Sequence, residues 1–332
     1  MDNALFRQPI PDIKKRTTPA LCLVVPVYNE EAVLPITKNI LNEIYDDLVL
    51  KGKILNSSCI LFVDDGSIDS SWDFLQVMCS QNSSRFKALK LSKNFGHQNA
   101  LLSGLYFAKD MSDCVISMDA DLQDDVNLIE RFVDCYLEGY DVVYGIRDSR
   151  ETDTYFKRKS AIFYYQLLRK LGINIKHNHA DFRLMSRRAL DELSQFKETN
   201  LFLRGIIPLI GLPSKDVYYA RQKRIAGKTK YPLKKMLLFA IEGITSFTNV
   251  PLRMISFLGF GIFILSIIMS IYVLCQDLVF HDVVKGWSSL SLSMYALSGV
   301  QLLCLGIIGE YVGKIYSETK KRPRYIVEDK LI

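Results

Sequence analysis

The sequence predicts an α/β protein with a mostly parallel sheet, followed by a two-helix membrane hairpin. Two observations predict this architecture. Short apolar runs alternate with longer amphipathic segments from residue 20 to about 146, which is typical of a parallel sheet covered by helices on both faces. Two uncharged apolar segments, Met254–Gln276 and Gly286–Gly309, follow. Each has the roughly 20 residues that a helix needs to cross a bilayer.

Strands and helices of the predicted sheet alternate along the chain. The predicted strands are Leu21–Val27, Cys59–Val63, Ala88–Leu91, Cys114–Met118 and Asp141–Tyr144. The predicted helices are Glu31–Leu50, Ser70–Ser80, Gln98–Ala108 and Leu128–Glu138. Because ligands of such sheets bind outside the carboxyl ends of the strands, we expect the site in the loops that follow the strands.

The charges that flank the hairpin predict its orientation. The connection 277–285 is short, so both ends of the chain are expected on one side of the membrane. Arg221–Lys235 holds seven Lys or Arg and no acid, and four Lys or Arg lie between 320 and 324. In the connection, Lys285 is the one Lys or Arg. The positive-inside rule therefore places the large domain and the tail in the cytoplasm. The N-terminus lacks the apolar segment of a signal peptide. Two buried core helices are the alternative to membrane spans.

Net charge and cysteine usage exclude some classes of function. The net charge is +6, and without the seven charges of Arg221–Lys235 it would be about −1. This local basicity favours an anionic membrane surface or lipid over nucleic acid. Seven cysteines occur singly, with no CxxC pair, which is typical of reduced core residues rather than metal ligands or disulfides.

Polar motifs follow the first four predicted strands. They are PVYNEE (Pro26–Glu31), DDGSIDSS (Asp64–Ser71), SKNFGHQN (Ser92–Asn99) and MDADLQDD (Met118–Asp125). Neither the GxGxxG motif of dinucleotide-binding folds nor the GxxxxGK[ST] motif of P-loops occurs. Four polar strand ends that meet at one edge of a sheet predict an acidic site there. This site differs from a dinucleotide-binding site and from a P-loop.

Asp119 and Asp121 are the strongest candidates for a metal site. In an extended chain, residues two apart point to the same side, and two close carboxylates repel unless a cation or a proton lies between them. Mg²⁺ or Mn²⁺ would bind there and complete its shell with substrate phosphates and water. The alternative is a solvated loop. Asp124 and Asp125 precede a predicted helix and are interpreted as acids that cap its first turn.

These motifs together resemble the polyprenyl-phosphate glycosyltransferases of glycosyltransferase family 2. The matching segments are VVPVYNEE, VDDGSIDSS, MDADLQ, GIR, DFRLMSR and GKTKYPLKKM, followed by the predicted hairpin. The bactoprenol glucosyltransferases are most similar, and dolichol-phosphate mannose synthase is a more distant relative. The processive polysaccharide synthases of this fold carry QxxRW, and neither tryptophan here, Trp72 or Trp287, follows that pattern.

The resemblance implies a GT-A fold, a UDP- or GDP-sugar donor, Mg²⁺ or Mn²⁺, a polyprenyl phosphate acceptor and a homotetramer. It also implies roles for individual residues. The implied metal and diphosphate ligands are Asp119, Asp121 and Gln123. The implied donor-binding residues are Pro26, Tyr28, Glu30, Asp64, Asp65 and Asp119. The implied acceptor-phosphate ligands are Arg147, Arg158 and Arg224. The implied catalytic residues are Asp181 and Asp121.

Composition and resemblance together predict a division of the chain. The predicted parts are an N-terminal extension (1–19), the catalytic domain (20–227), an amphipathic interfacial region (228–252), a first membrane helix (253–276), an extracytoplasmic loop (277–285), a second membrane helix (286–310) and a cytoplasmic tail (311–332). The region 228–252 mixes basic and apolar residues, as a helix lying in the membrane interface does. An ordinary linker is its alternative.

The predicted reaction is inverting, metal-dependent transfer of a hexose to undecaprenyl phosphate on the cytoplasmic face of the inner membrane. Glucose from UDP-glucose is the expected donor. UDP-4-deoxy-4-formamido-arabinose, UDP-N-acetylglucosamine and GDP-mannose are the alternatives. The acceptor phosphate is already anionic, so Asp181 need not be a strong base. Two other functions stay open at this point: a membrane scaffold without activity, and a hairpin that translocates the lipid-linked sugar.

Overall fold

The computed structural model describes residues 14–147, 179–198, 203–219 and 287–332, with the single helical residues 257, 261 and 268. The strands are β1 (Leu21–Val27), β2 (Cys59–Asp64), β3 (Phe86–Leu91), β4 (Cys114–Ser117), β5 (Val142–Arg147), β6 (His179–Ser186), β7 (Ser214–Tyr219) and β8 (Val327–Leu331). The helices are α1 (Leu34–Leu50), α2 (Ser71–Gln81), α3 (His97–Ala108), α4 (Leu128–Glu138), α5 (Arg187–Ser194), α6 (Leu203–Leu209) and α7 (Trp287–Lys320).

The eight strands form one sheet in the order β7-β5-β6-β4-β1-β2-β3-β8. Neighbouring strands are parallel except where β6 lies between β4 and β5, and where β8 pairs with β3. The prediction of an α/β fold with a mostly parallel sheet is therefore confirmed. Every strand and helix predicted between residues 21 and 144 is present, with ends that differ by at most a few residues.

Helices cover both faces of the sheet, and the contact with α3 is unusually close. Along β1, residues Leu21, Leu23 and Val25 join the core that includes α1 and α2. On the opposite face Gly104 of α3 lies against the strands. A Cβ atom at Gly104 would come within 2.4 Å of Val24 Cγ1. The absence of a side chain at Gly104 thus lets α3 pack directly on the central strands, with its first turn at their carboxyl edge.

Several helix ends follow from local sequence. Pro35 lies in the first turn of α1, where a missing N–H costs nothing. Gly139 ends α4 with a left-handed φ of 109°, which glycine adopts without strain. Ser186 caps α5, because its Oγ accepts a hydrogen bond from the Ala189 N–H at 3.1 Å. The ends of α1 and α4 agree with the predicted helices, whereas α5 was not predicted.

The C-terminal residues return to the α/β sheet, which the predicted division of the chain did not anticipate. Strand β8 pairs antiparallel with β3 and forms the edge of the sheet. The Ser92 N–H, directly after β3, donates to the Ile326 carbonyl at 3.0 Å. Arg324 Nη2 also donates to the Phe196 carbonyl at 2.9 Å. The last residues of the predicted tail are therefore part of the α/β sheet.

The predicted membrane segments fall mostly outside the described residues. Of the range 228–285 only residues 257, 261 and 268 are described, and each is helical. The second predicted span, 286–310, falls on α7, which belongs to a different compact unit from β1 to β8. None of the helices in the described ranges combines the length with the hydropathy that a membrane span requires.

Candidate active site

The polar motifs after the first strands meet at one edge of the sheet, as predicted. The loop after β1 and the loop after β2 are joined by reciprocal hydrogen bonds. The Asn29 N–H donates to Ser67 Oγ at 2.9 Å, and the Ile68 N–H donates back to Asn29 Oδ1 at 2.9 Å. The Glu30 N–H donates to Ser71 Oγ at 3.0 Å. These loops therefore form one continuous rim at the carboxyl ends of β1 and β2.

Three predicted donor-binding residues lie on this rim or below it. Pro26 is in β1, paired with Val63 of β2. Tyr28 follows β1 with more than a third of its surface exposed, and Glu30 is half-buried. This placement suits a nucleoside pocket, and the roles of the three residues stay predictions.

The loop after β2 holds the loop after β3. Both Asp65 oxygens accept backbone hydrogen bonds, from the Phe95 N–H at 2.8 Å and the Gly96 N–H at 3.0 Å. Gly66 has a φ of 67°, and a Cβ on it would lie 2.5 Å from the carbonyl carbon of Lys93. Burial raises the pKa of Asp65, although the two amides act against that shift. Asp65 thus has a structural role in addition to its predicted contact with the donor.

Asp64, the other acid of this motif, is fully buried at the end of β2. Its Oδ2 accepts a hydrogen bond from the Ser67 N–H at 3.2 Å, while Oδ1 has no partner among the described residues. Burial raises the pKa of Asp64, and the hydrogen bonds from Ser67 oppose that shift. Its predicted contact with the donor is not tested.

The aspartate motif after β4 forms a tight turn. Leu122 is buried with a φ of 53°, and the Gln123 N–H donates to Asp121 Oδ1 at 3.2 Å. Thr37 Oγ1 of α1 anchors the turn by donating to the Ala120 carbonyl at 3.0 Å. The turn leaves Asp121 half-buried and Gln123 nearly buried.

Antiparallel pairing of β4 and β6 brings Asp119 and Asp181 together across 62 positions of sequence. Ser117 is the register partner of Arg183. In an antiparallel pair, the next partners on the same face lie two positions later in one strand and two positions earlier in the other, so Asp119 lies opposite Asp181. The Ser117 hydroxyl also donates to the Asp181 carbonyl. The catalytic aspartate implied by resemblance therefore lies beside the first aspartate of the metal motif.

Three cationic side chains surround the Asp181 carboxylate. Arg204 of α6 binds it through both oxygens, with Nε 3.2 Å from Oδ1 and Nη2 2.9 Å from Oδ2. Arg183 Nη2 donates to Oδ1, and His97 Nε2 lies 3.6 Å from Oδ2. Burial alone would raise the pKa of Asp181, but Arg204, His97 and Arg183 together hold it well below its usual range. Asp181 is therefore an ionised carboxylate at neutral pH and a weak proton acceptor.

His97 lies between the two carboxylates. Its Nε2 is 3.5 Å from Asp119 Oδ1 as well as 3.6 Å from Asp181 Oδ2. Burial opposes the charged imidazole, yet the nearby carboxylates of Asp181 and Asp119 raise the pKa of His97 to about 9. Burial and the carboxylates of Asp181, Asp124 and Asp121 raise the pKa of Asp119, while His97 lowers it.

Sequence reasoning assigned no role to His97, Arg183 or Arg204. His97 lies in the SKNFGHQN segment and Arg183 in the DFRLMSR segment, so their motifs pointed to the site without identifying these side chains. Arg204 lies outside every quoted motif. Only the tertiary placement of α6 reveals it.

Arg147, a predicted acceptor-phosphate ligand, is engaged with a buried acid. Its Nη2 donates to Asp124 Oδ1 at 2.9 Å and its Nε donates to the Tyr219 hydroxyl at 3.2 Å. The Tyr219 hydroxyl in turn donates to Asp124. The interpretation of Asp124 as a helix-capping acid is therefore wrong, because its side chain is only 2% exposed and its carboxylate binds Arg147 and Tyr219 instead. The other two predicted acceptor ligands, Arg158 and Arg224, lie outside the described residues.

The aspartate turn has ligand chemistry that suits a hard divalent cation. Asp119 keeps 37% of its side chain exposed, and nearby carboxylates raise its pKa, so a cation would relieve their repulsion. Two carboxylates with an amide oxygen fit Mg²⁺ or Mn²⁺, which commonly take one or two protein carboxylates and fill the shell with phosphate and water. No group of three or more His, Cys, Asp or Glu placed to hold a metal occurs within the described ranges.

Comparisons with known proteins indicate the family of this chain. The family model described as glycosyl transferase family 2 matches residues 22–194. The uncharacterized glycosyltransferase YkoT of Bacillus subtilis (strain 168) is 52% identical, over 95% of this chain and 93% of its own. The bactoprenol glucosyl transferase of Shigella phage SfX is 36% identical, over 93% of this chain and 99% of its own.

A more distant similarity joins the chain to a solved structure. The mannosyltransferase PcManGT from Pyrobaculum calidifontis, in complex with GDP-Man and Mn2+, superposes with a TM-score of 0.44 and 16% identity. The superposition covers 67% of this chain and 62% of that chain. The family match of residues 22–194 includes His97, Asp119 and Asp181 but ends before Arg204.

Proposed function

Because the chain belongs to glycosyltransferase family 2, we propose that this glycosyltransferase transfers a hexose from a nucleotide sugar to a polyprenyl phosphate. We further propose UDP-glucose as the donor and undecaprenyl phosphate as the acceptor. The 36% identity with a protein named a bactoprenol glucosyl transferase, over nearly the whole of both chains, supports this choice. Other nucleotide sugars stay as alternatives for the donor.

One structural observation carries the proposal. Asp119, which follows the central strand β4, lies beside Asp181 at the carboxyl edge of the sheet, with His97 between the two carboxylates. This edge is where ligands of parallel sheets bind. A donor bound over the rim of β1 and β2 would present its diphosphate toward Asp119 and its sugar toward Asp181.

The proposed reaction is a single in-line displacement. An oxygen of the acceptor phosphate attacks the anomeric carbon and forms a new carbon–oxygen bond. The bond from that carbon to the nucleoside diphosphate breaks, and the diphosphate leaves with the electron pair. The anomeric configuration inverts. No proton moves, because a phosphate monoester is already anionic near neutral pH.

Asp181 acts in this scheme as a fixed negative charge. A carboxylate held by Arg204 and Arg183 accepts a proton poorly, so it does not serve as a general base. Its charge favours the positive charge that develops at the anomeric carbon in the transition state, as preorganised electrostatic groups do. Because Arg204 and Arg183 hold the Asp181 carboxylate in place, it need not reorganise during the reaction.

Asp119, Asp121 and Gln123 would hold Mg²⁺ or Mn²⁺ in the proposed enzyme. The ion would act as a Lewis acid that neutralises charge on the leaving diphosphate. Asp121 belongs to the turn that the Gln123 N–H and Thr37 stabilise, so its carboxylate is positioned before any ligand binds.

We also propose that the enzyme sits at the inner membrane with the α/β domain and both termini in the cytoplasm, as a homotetramer. The polyprenyl tail of the acceptor cannot leave the bilayer, so the site must approach the headgroup region. Apolar side chains exposed along α7 support a lipid environment; they include Leu290, Met294, Leu297, Leu305, Ile308, Val312 and Ile315. The basic segment Arg221–Lys235 supports the cytoplasmic orientation.

A donor panel tests this function. Purified full-length protein in detergent receives undecaprenyl phosphate and labelled UDP-glucose, UDP-N-acetylglucosamine, GDP-mannose or UDP-4-deoxy-4-formamido-arabinose. We expect the label of UDP-glucose to enter the organic phase, and little label from the other three donors. Asp121→Ala should abolish this transfer, while Asp73→Asn, an exposed acid on α2, serves as the matched control.

Each alternative gives a different result in the same panel. Donor hydrolysis without a lipid product would indicate a hydrolase instead. No turnover of any donor and no nucleotide binding would indicate an inactive scaffold. An unchanged rate after the divalent ions are chelated would overturn the metal assignment alone.

A further inference from the structure

His97 occupies a position that the proposed reaction does not by itself explain. It is the first residue of α3 and follows Gly96, whose φ is 89°. Its Nε2 lies 3.5 Å from Asp119 Oδ1 and 3.6 Å from Asp181 Oδ2. One ring nitrogen is therefore shared between a carboxylate after β4 and a carboxylate on β6.

The backbone beneath His97 is fixed from two sides. Asp65 accepts hydrogen bonds from the N–H groups of Phe95 and Gly96, the two residues directly before His97. On the other side Gly104 holds α3 against β1 and β2, since any side chain there would meet Val24. Neither contact involves a ligand, so the position of His97 is set by the fold itself.

We propose that His97 is a positioning residue that holds Asp119 and Asp181 in a fixed relation, and that Asp65 acts through it. The proposal rests on the function proposed above, in which Asp119 serves the donor diphosphate and Asp181 serves the anomeric carbon. Two like charges with no donor between them move apart. Without His97 the two carboxylates would lose their common partner, and the donor would bind out of line with Asp181.

A small displacement of this kind has a large effect on rate. A shift of about 1 Å in a group that aligns reactants can cost on the order of 100-fold in rate. His97→Ala should therefore lower kcat by on the order of 100-fold. The KM values for donor and acceptor should change little, because the groups proposed to bind each substrate remain.

Replacement by amides distinguishes positioning from general structure. The side-chain amide nitrogen of Gln falls near the place of the imidazole Nε2 and has two N–H donors, one for each carboxylate. The shorter Asn places its nitrogen near the imidazole Nδ1, away from both carboxylates. We expect His97→Gln to retain most of kcat and His97→Asn to resemble His97→Ala. Equal kcat values for the Gln, Asn and Ala variants would overturn the proposal.

A double-mutant cycle tests the role of Asp65. If Asp65 acts through His97, Asp65→Asn should lower kcat in the wild-type background and have little further effect in the His97→Ala background. Fully additive losses would show that Asp65 acts independently, as expected if its contact with the donor dominates. Asp73→Asn is the matched control for loss of a carboxylate away from the site.

A spectroscopic test does not depend on turnover. The chain has four histidines, so ¹H–¹⁵N correlation spectra of imidazole nitrogens in the labelled full-length protein are readily assigned by His97→Gln. The His97 signal should shift in Asp65→Asn, Asp119→Asn and Asp181→Asn, and should not shift in Asp73→Asn. An unshifted signal in all three site variants would overturn the positioning role even if the transfer assay found no activity. Absent transfer in wild type with these shifts present would instead count against the proposed function only.

Discussion

Replacement of Asp181 by Asn should lower the stability of the protein, whereas replacement of Asp119 by Asn should not, although both replacements should abolish transfer. The Asp181 side chain is 12% exposed and compensates Arg183, which is only 1% exposed. Arg183 Nη1 already lacks a partner among the described residues. Breaking a buried ion pair by removing one member typically costs about 3–5 kcal/mol, because the remaining charge stays buried. At about 2–4 °C per kcal/mol for a domain of this size, Asp181→Asn should lower Tm by on the order of 10 °C.

Asp119 presents the reverse case. Its pKa is raised by burial and by neighbouring carboxylates, so its ionised form is disfavoured in the folded protein. Asp119→Asn removes that unfavourable charge and should leave Tm unchanged or slightly raised. Thermal unfolding of the purified variants, followed by circular dichroism at pH 7.5, provides the measurement. A Tm for Asp181→Asn within about 2 °C of wild type would show that Asp181 does not compensate the buried charge of Arg183.

The pH dependence of Tm gives a second test of the charge on Asp181. Since the folded-state pKa of Asp181 lies below its usual value, its stabilising contribution is present above the unfolded pKa and is lost as the pH falls through the folded pKa. The Tm difference between wild type and Asp181→Asn should therefore be largest near neutral pH and narrow in acid. A difference that grows in acid would contradict the low pKa.

Three further predictions concern the frame of the site. The pKa of His97 is raised from 6.5 to about 9, so its stabilising contribution should be complete below pH 6.5 and lost as the pH rises through about 9. The Tm values of wild type and His97→Gln, measured from pH 6 to 10, should therefore converge at the alkaline end. Gly104→Ala should lower stability by about 1–3 kcal/mol in denaturant unfolding, because its Cβ would lie 2.4 Å from Val24 Cγ1, and an unchanged midpoint would mean that α3 is free to move. Deletion of 327–332 should lower Tm and slow transfer, since β8 pairs with the strand that leads into the His97 loop, whereas retention of both would show that β8 is dispensable.

Much of the fold is encoded in short-range patterns and was predictable. The apolar runs Leu21–Val27 and Cys59–Val63 are buried along their whole length, and they were recognised as strands because nothing polar interrupts them. The loops that follow were recognised because parallel strands place their carboxyl ends at one edge. Local sequence was sufficient wherever local contacts decide the structure.

Long-range pairing was not predictable in the same way. The antiparallel register that sets Asp181 beside Asp119 depends on the pairing of Ser117 with Arg183, which no local pattern specifies. Likewise β8 begins after a chain segment assigned to the membrane, and its pairing with β3 has no nearby counterpart in sequence.

The sequence indicated the acids of the candidate site, whose roles stay predictions, and did not indicate the cations beside Asp181. Asp119, Asp121 and Asp181 were identified by motif and resemblance, while Arg204 belongs to no motif and His97 was one residue of a longer polar segment. Arg147 was assigned to the acceptor, but its charge is matched by Asp124, which looked like a helix cap because only the tertiary fold buries it. Ion pairs between residues that are distant in sequence have no local sequence pattern, so they cannot be predicted until the fold is known.

The anomeric configuration of the lipid product is the most direct test of the proposed reaction, since a single displacement by the acceptor phosphate inverts the anomeric carbon of the sugar. The product formed from UDP-glucose and undecaprenyl phosphate would be purified and its sugar–phosphate linkage examined by ¹H and ³¹P NMR. We expect a phosphodiester with the β configuration, opposite to that of the α-linked donor. A product that retains the α configuration, or free glucose with unmodified lipid, would contradict the proposed reaction.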